Sequence, residues 1–201
     1  MSLPSSSFPS YEKLPQNIIL GSETASTVSS RGVYHLPSEK GVHGIDALLG
    51  AYMRHPDHQS SSYDTDYCPW SNIPDTDFAA DEDYPWMPGQ FVWTGFDYLG
   101  EPTPYDTDSW PNHSSVFGII DLASIPKDRF WLYRSQWRKD SPTLHLVPHW
   151  TWPGHEGENI PVVAYSSFDK AELFVNGVSQ GIAVKAAPSG VSADPTHPTP
   201  I

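Results

Sequence analysis

Disulfide chemistry is absent from this chain, whose 201 residues hold a single cysteine, Cys68. A lone thiol excludes an internal disulfide and any metal site built from several thiolates. Cys68 reads instead as a small buried side chain. Positive charge is scarce too: 11 Lys+Arg stand against 24 Asp+Glu, a formal net charge of -13. An acidic surface repels phosphate backbones and anionic headgroups, so nucleic acid and membrane are excluded as partners, and a neutral ligand is compatible. Long apolar runs are missing, and nothing approaches the ~20 residues of a membrane-spanning helix. Residues 1–10, MSLPSSSFPS, lack the basic and apolar regions of a signal peptide. Compartment cannot be read from this chain.

Proline and glycine are plentiful, at 21 and 14 residues, which predicts many irregular connections. Aromatic residues are plentiful as well, with 8 Trp, 10 Tyr and 8 Phe. Such rings fill cores and also stack on the apolar faces of sugars.

The pattern along the chain changes character several times. Ile18, Ile19 and Leu20 predict a short buried strand ended by Gly21, with Glu23 just beyond it. A carboxylate at the C-terminal lip of a buried strand is where a (β/α)8 barrel keeps catalytic groups. The plainer alternative is a loop glutamate after an ordinary strand. In the polar stretch that follows, Arg31 and Tyr34 are the side chains able to reach a ligand. Val42, Ile45, Leu48, Leu49 and Tyr52 are spaced for a short helix. Residues 55–83 read as a long acidic loop. His55 and His58 have loop spacing for metal ligands, but no Cys/His set completes a site, so a solvated loop is expected.

Phe91, Val92 and Trp93, apolar in succession, predict a strand over 90–97 buried on both faces. Asp97, Tyr98 and Glu101 lie just past it. Residues 117–122, FGIIDL, form a short apolar segment. Residues 127–138 predict an amphipathic helix with a stripe of Phe130, Tyr133, Arg134 and Trp137. After a boundary near 141–142 the pattern turns to short alternating runs at 144–147, 160–165 and 170–182. Asn176-Gly177 marks a hairpin turn. Residues 185–201 carry no periodic pattern and are expected to form a disordered tail.

Five blocks together resemble glycoside hydrolase family 2, the β-galactosidase-like branch. FVWTGFDYLGEPTPY at 91–105 resembles the last barrel strand and its loop. GSETASTVSSRGVY at 21–34 resembles the nucleophile segment, and SSVFGIIDLASIPKD at 114–128 the approach to the last barrel helix. LHLVPHWTW at 144–152 and KAELFVNGVSQG at 170–181 resemble the first strands of the following β-sandwich. The resemblance covers roughly residues 17 to 182, and five blocks in register are far more specific than any one motif.

The resemblance implies an α/β fold: the C-terminal portion of a (β/α)8 TIM barrel over 1–141, then the first strands of an immunoglobulin-like β-sandwich over 142–184. It implies Glu23 as catalytic nucleophile. A retaining glycosidase uses two carboxyl groups about 5–5.5 Å apart, one attacking the anomeric carbon and one serving as acid and base. Arg31 would favour the ionised Glu23. Trp93 matches the aromatic floor of the sugar subsite, with barrel core as the alternative, and Asp97, Glu101 and Lys127 are candidates for sugar hydroxyl contacts. No metal or other cofactor is implied. The family's acid/base glutamate follows an asparagine, and no Asn-Glu dipeptide occurs here. The chain is therefore expected to be a fragment of a β-galactosidase-like enzyme, inactive by itself; a non-catalytic carbohydrate-binding piece or a gene-model remnant are the alternatives. The glucuronidase branch carries an Asn-x-Lys element where this chain reads Asn112-His113-Ser114-Ser115. A neutral β-galactoside is the substrate the resemblance implies.

Overall fold

The computed structural model describes residues 18–36 and 55–185, apart from 69, 104, 106–108 and 111. The helix expected over 42–52 and the tail beyond 185 lie outside the described residues. Within them the order is β1 (Gly21–Ala25), α1 (Pro74–Asp83), β2 (Gln90–Trp93), α2 (Asp128–Trp137), β3 (Leu144–Val147), β4 (Val163–Ser166), β5 (Lys170–Val175) and β6 (Val178–Val184).

β1 and β2 pair in parallel, with Gly21 opposite Gln90, Thr24 opposite Val92 and Ala25 opposite Trp93; the register slips between Gly21 and Thr24. β1 begins where the sequence suggested a strand would end. Ile18 and Leu20 precede it and are half exposed, so the apolar run does not form the ladder. The strand is instead built from GSETA, with Thr24 and Ala25 buried. β2 starts at Gln90 as expected but ends at Trp93 rather than Asp97, and its burial on two faces is not seen: Phe91 is 64% exposed and Trp93 37%. The path then continues beside residues 117–120. Ile119 N–H donates to Thr94 O (3.0 Å), Ile120 N–H to Gly95 O (3.1 Å) and Asp97 N–H to Ile120 O (2.9 Å).

The acidic stretch expected to be all loop contains α1. Pro74 starts it with a pre-set backbone and a missing N–H that a helix does not need there. Asp75 and Asp77 in its first turn suit the positive end of the helix dipole. α2 lies where the periodicity placed it, turned from the expected stripe. Its buried residues are Arg129, Leu132, Tyr133 and Ser135, whereas Trp137 is 45% exposed.

β3 and β4 are antiparallel, and so are β5 and β6, joined through Asn176 (φ 49°) and Gly177 (φ 79°). No helix occurs among residues 160–182. The main core cluster is Tyr63, Phe78, Leu132, Tyr133, Val147 and Tyr165. It joins both helices to β3 and β4, so apolar packing crosses residue 141. A smaller cluster of Val28, Cys68, Val116 and Phe117 lies beneath the exit of β1, with Tyr98 against it.

Candidate active site

Glu23 is the third residue of β1, exposed, within the irregular part of the parallel ladder. Its neighbour Thr24 turns inward and donates to Gln90 Oε1 at 2.5 Å, and Gln90 Nε2 donates to Asp81 Oδ2 at 2.7 Å. This chain of side chains ties β1 to β2 and α1 on the side opposite the carboxylate. Immediately after the strand Ala25 (φ 60°) and Ser26 (φ 52°) are left-handed, which turns the backbone sharply away. Non-glycine residues in that region are uncommon and require support from their surroundings.

The support comes from two buried cations at the start of α2. Arg129 donates from Nη1 to Thr27 O and from Nη2 to Val28 O (3.0 Å). Its Nε meets Asp64 Oδ1 at 2.6 Å, and the other Asp64 oxygen accepts Tyr165 O–H at 3.0 Å. Lys127, 1% exposed, donates Nζ to Ser29 O (2.7 Å) and Val116 O (3.3 Å) and pairs with Asp97 at 2.7 Å. Three consecutive carbonyls leaving β1 are thus held by charge-assisted bonds, the stronger class of hydrogen bond. Burial pushes the Lys127 ammonium down to about 8, against the pull of Asp97, and burial pushes Asp97 up against the pull of Lys127.

The expected sugar contacts divide accordingly. Asp97 also accepts the Gly118 N–H at 2.7 Å, and Gly118 packs directly on the backbone of Phe96 and Asp97. Asp97 and Lys127 therefore hold two loops together with their polar atoms rather than facing open solvent. Trp93 and Glu101 remain at the surface. Trp93 meets Tyr98 edge-on, with ring centroids 6.1 Å apart, and Tyr98 O–H donates to Glu101. Desolvation, then Glu101, pushes the Tyr98 phenol up to about 12, so it remains a donor at neutral pH. The Arg31 guanidinium pairs with Asp121. Tyr34 is likewise engaged, donating to Asp128, which also meets His145 Nε2 at 2.6 Å.

The sequence reading passed over Arg129, Asp64 and Tyr165. Nothing in local spacing could have joined residues 65 and 101 positions apart. A weak signal did exist, since an arginine one turn from Tyr133 on the buried side of an amphipathic helix needs a partner. A cleft of about 300 Å³ between α2 and β4 to β6 is lined by Leu132, Ser135, Tyr165 and Phe168 among others and by none of Glu23, Trp93, Asp97 or Glu101.

Comparison with known proteins places this arrangement. Residues 157–196 match the family described as Domain of unknown function (DUF4982). The β-galactosidase BoGH2A of Bacteroides ovatus is 41% identical over 169 residues, which is 84% of this chain and 19% of that protein. A putative β-glucuronidase of Formosa agariphila is 43% identical over 100 residues, 49% of this chain and 10% of that protein. A β-glycosidase structure from Bacteroides vulgatus superposes with a TM-score of 0.64 at 33% identity, covering 83% of this chain and 23% of that one. The chain thus spans about a fifth of the length of BoGH2A. In sequence and in fold alike, this chain resembles members of glycoside hydrolase family 2.

Proposed function

We propose that this chain supplies the nucleophile side of a retaining β-glycosidase active site, within the last part of a (β/α)8 barrel that is followed by the first strands of an immunoglobulin-like β-sandwich. The division falls at residues 141–142. The observation that carries the reading is Glu23 itself, exposed on a strand paired in parallel with β2, one residue from Thr24, with Trp93 on the neighbouring strand in register with Ala25. Glu23 attacks the anomeric carbon, and its carboxylate oxygen forms an ester as the glycosidic bond breaks. A second carboxyl group, contributed by the rest of a longer enzyme, protonates the departing oxygen and then activates the water that cleaves the ester. Trp93 offers a ring face to the sugar, and Glu101 with Tyr98 offers an acceptor and a donor to its hydroxyls.

The substrate under this reading is a terminal β-galactosyl residue. The absence of lysine from residues 112–115 supports a neutral sugar. Glucuronides are the second reading, because a relative matched over 100 residues is named a putative β-glucuronidase. Without a second carboxyl group the 201 residues alone should show no turnover, since general acid–base assistance is worth about 10²–10⁴-fold.

The deciding experiment is trapping with a 2-deoxy-2-fluoro-β-galactoside in a full-length enzyme carrying this chain, followed by peptide mass analysis. The label should reside on Glu23, and Glu23→Gln should abolish both labelling and turnover. A label on Glu101 would refute the assignment. Faster hydrolysis of aryl glucuronides than of aryl galactosides would select the second reading.

A further inference from the structure

Away from the candidate active site, residues from two loops converge on His35, His55 and Asp66. One ring nitrogen of each histidine and one Asp66 oxygen all lie within 4.8 Å of one another. The two imidazoles stack with centroids 3.6 Å apart at 20°.

The hydrogen bonds define which lone pairs are on offer. His35 Nε2 lies 3.0 Å from Asp57 Oδ2. A carboxylate can only accept, so Nε2 carries the hydrogen, and in the neutral ring Nδ1 holds the lone pair. That Nδ1 is buried and has no hydrogen-bond partner among the described residues. A buried polar atom left unpaired is costly and is normally met by water or an ion. Asp66 is also buried and accepts the Ser61 N–H at 2.7 Å, with His55 Nε2 at 2.9 Å from the same oxygen. Among the described residues no lysine or arginine pairs with Asp66.

We propose that His35, His55 and Asp66 form a binding site for a divalent transition-metal ion, best suited to zinc, in which Asp57 orients His35 from behind. Two imidazoles and one carboxylate are a zinc donor set, with a fourth position left for water. Donors bound at 2.0–2.1 Å in a tetrahedron are separated by roughly 3.3 Å. The His55–Asp66 pair, 2.9 Å apart as a hydrogen bond, releases its proton to bind the ion and opens to that spacing, and the other donors, all within 4.8 Å, close toward it. A histidine that ligates through one nitrogen and gives the other N–H to a carboxylate is the usual outer arrangement of such sites. The inference does not depend on the glycosidase reading. Its structural role is a clasp. Ser30 and Ser60 exchange bonds at 3.0 Å, and Ser62 N–H donates to Val33 O at 2.6 Å, so the ion closes the end of a ladder joining the segment after β1 to the loop before α1.

The test uses the untagged 201-residue chain, stripped with a chelator and titrated with Co²⁺. One equivalent should produce the intense visible absorption of tetrahedral cobalt, displaced by one equivalent of Zn²⁺ and not by Mg²⁺. His55→Ala and Asp66→Asn should each remove the band with the circular dichroism unchanged. Asp57→Asn should weaken Zn²⁺ by about 10- to 100-fold. Absence of a cobalt band in the folded chain, or an equal band in His55→Ala, overturns the proposal; the latter means another histidine holds the ion. If His55→Ala and Asp66→Asn unfold, Asp57→Asn decides, because the Asp57 side chain is 44% exposed and outside the core: an unchanged affinity for Zn²⁺ also overturns it.

Discussion

Thr27, Val28 and Ser29 give three consecutive carbonyls to two buried cations, whereas every residue of β6 faces solvent. The two regions are held by different physics. The exit of β1 depends on side chains about a hundred residues away, on α2, and on carboxylates at 64 and 97. The β5–β6 hairpin depends on its own turn and on cross-strand neighbours. Buried ionic bonds have steep directional and desolvation demands, so they fix a backbone in one place. Local turn chemistry sets only a register. The chain spends buried charge where the candidate nucleophile is presented and leaves the hairpin to local rules.

Breaking the comparison at its stronger side should have the largest effect. Arg129→Met keeps the length of the side chain but leaves Asp64 buried without its cation. Loss of one partner of a buried pair costs about 3–5 kcal/mol. Denaturant unfolding should register that loss, and hydrogen exchange in β5 and β6 should be unchanged under native conditions. A loss below about 1 kcal/mol would mean that the ion pair does not hold the β1 exit.

A pH series sharpens the same side. Asp77 is buried, and burial pushes its carboxyl up to about 7, with Asp81 adding to the effect and the Asn72 amide and Ala25 N–H opposing it. Its Oδ2 has no hydrogen-bond partner among the described residues. The folded chain keeps this proton to near neutrality, whereas the unfolded chain releases it near 3.8. The contribution to stability is therefore complete below about pH 4 and is lost as pH rises through 7. The slope is about 1.4 kcal/mol per pH unit near pH 5–6. Thermal melts of Asp77→Asn and the parent chain should differ by that slope; parallel curves would show that Asp77 is ionised when folded.

The smallest effect belongs to the hairpin. Gly177→Ala places a methyl group on a left-handed residue and should cost about 1 kcal/mol. Amide exchange in β5 and β6 should accelerate while the Arg129 network retains its protection. Equal acceleration in both regions would mean that they open together.

The same contrast decides what could be read in the sequence. The hairpin, α2 and the position of β2 were legible because each is specified within a dozen residues: an Asn-Gly turn, a 3.6-residue period, an apolar triplet. β1 was misplaced by three residues because Ile18–Leu20 looked like a strand, while the ladder was made by GSETA with a buried threonine. α1 was missed because its apolar residues Phe78, Ala79 and Ala80 are adjacent rather than periodic. Its Pro74 and first-turn aspartates were the available signals. Glu23, Trp93 and Glu101 could be named from the family resemblance, and the structure leaves all three at the surface. Asp97 and Lys127 could be named too, but their burial against each other required the fold. The pairing of Arg129 with Asp64 was beyond reach, since only tertiary structure brings 64 and 129 together.

Gly118 and Gly177 look alike in the sequence and differ in what they would accept. Gly177 is required by a torsion angle, and asparagine, which tolerates left-handed backbone, would replace it at small cost. Gly118 is required by space. A Cβ there would lie 2.1 Å from Asp97 N, 2.5 Å from Phe96 C and 2.6 Å from Ile120 O, all backbone atoms that cannot step aside. In a saturation library selected for folding, position 177 should therefore return glycine, asparagine and aspartate, and position 118 glycine alone. That single blank column would mark where the loop after β2 is welded to the segment leading into α2.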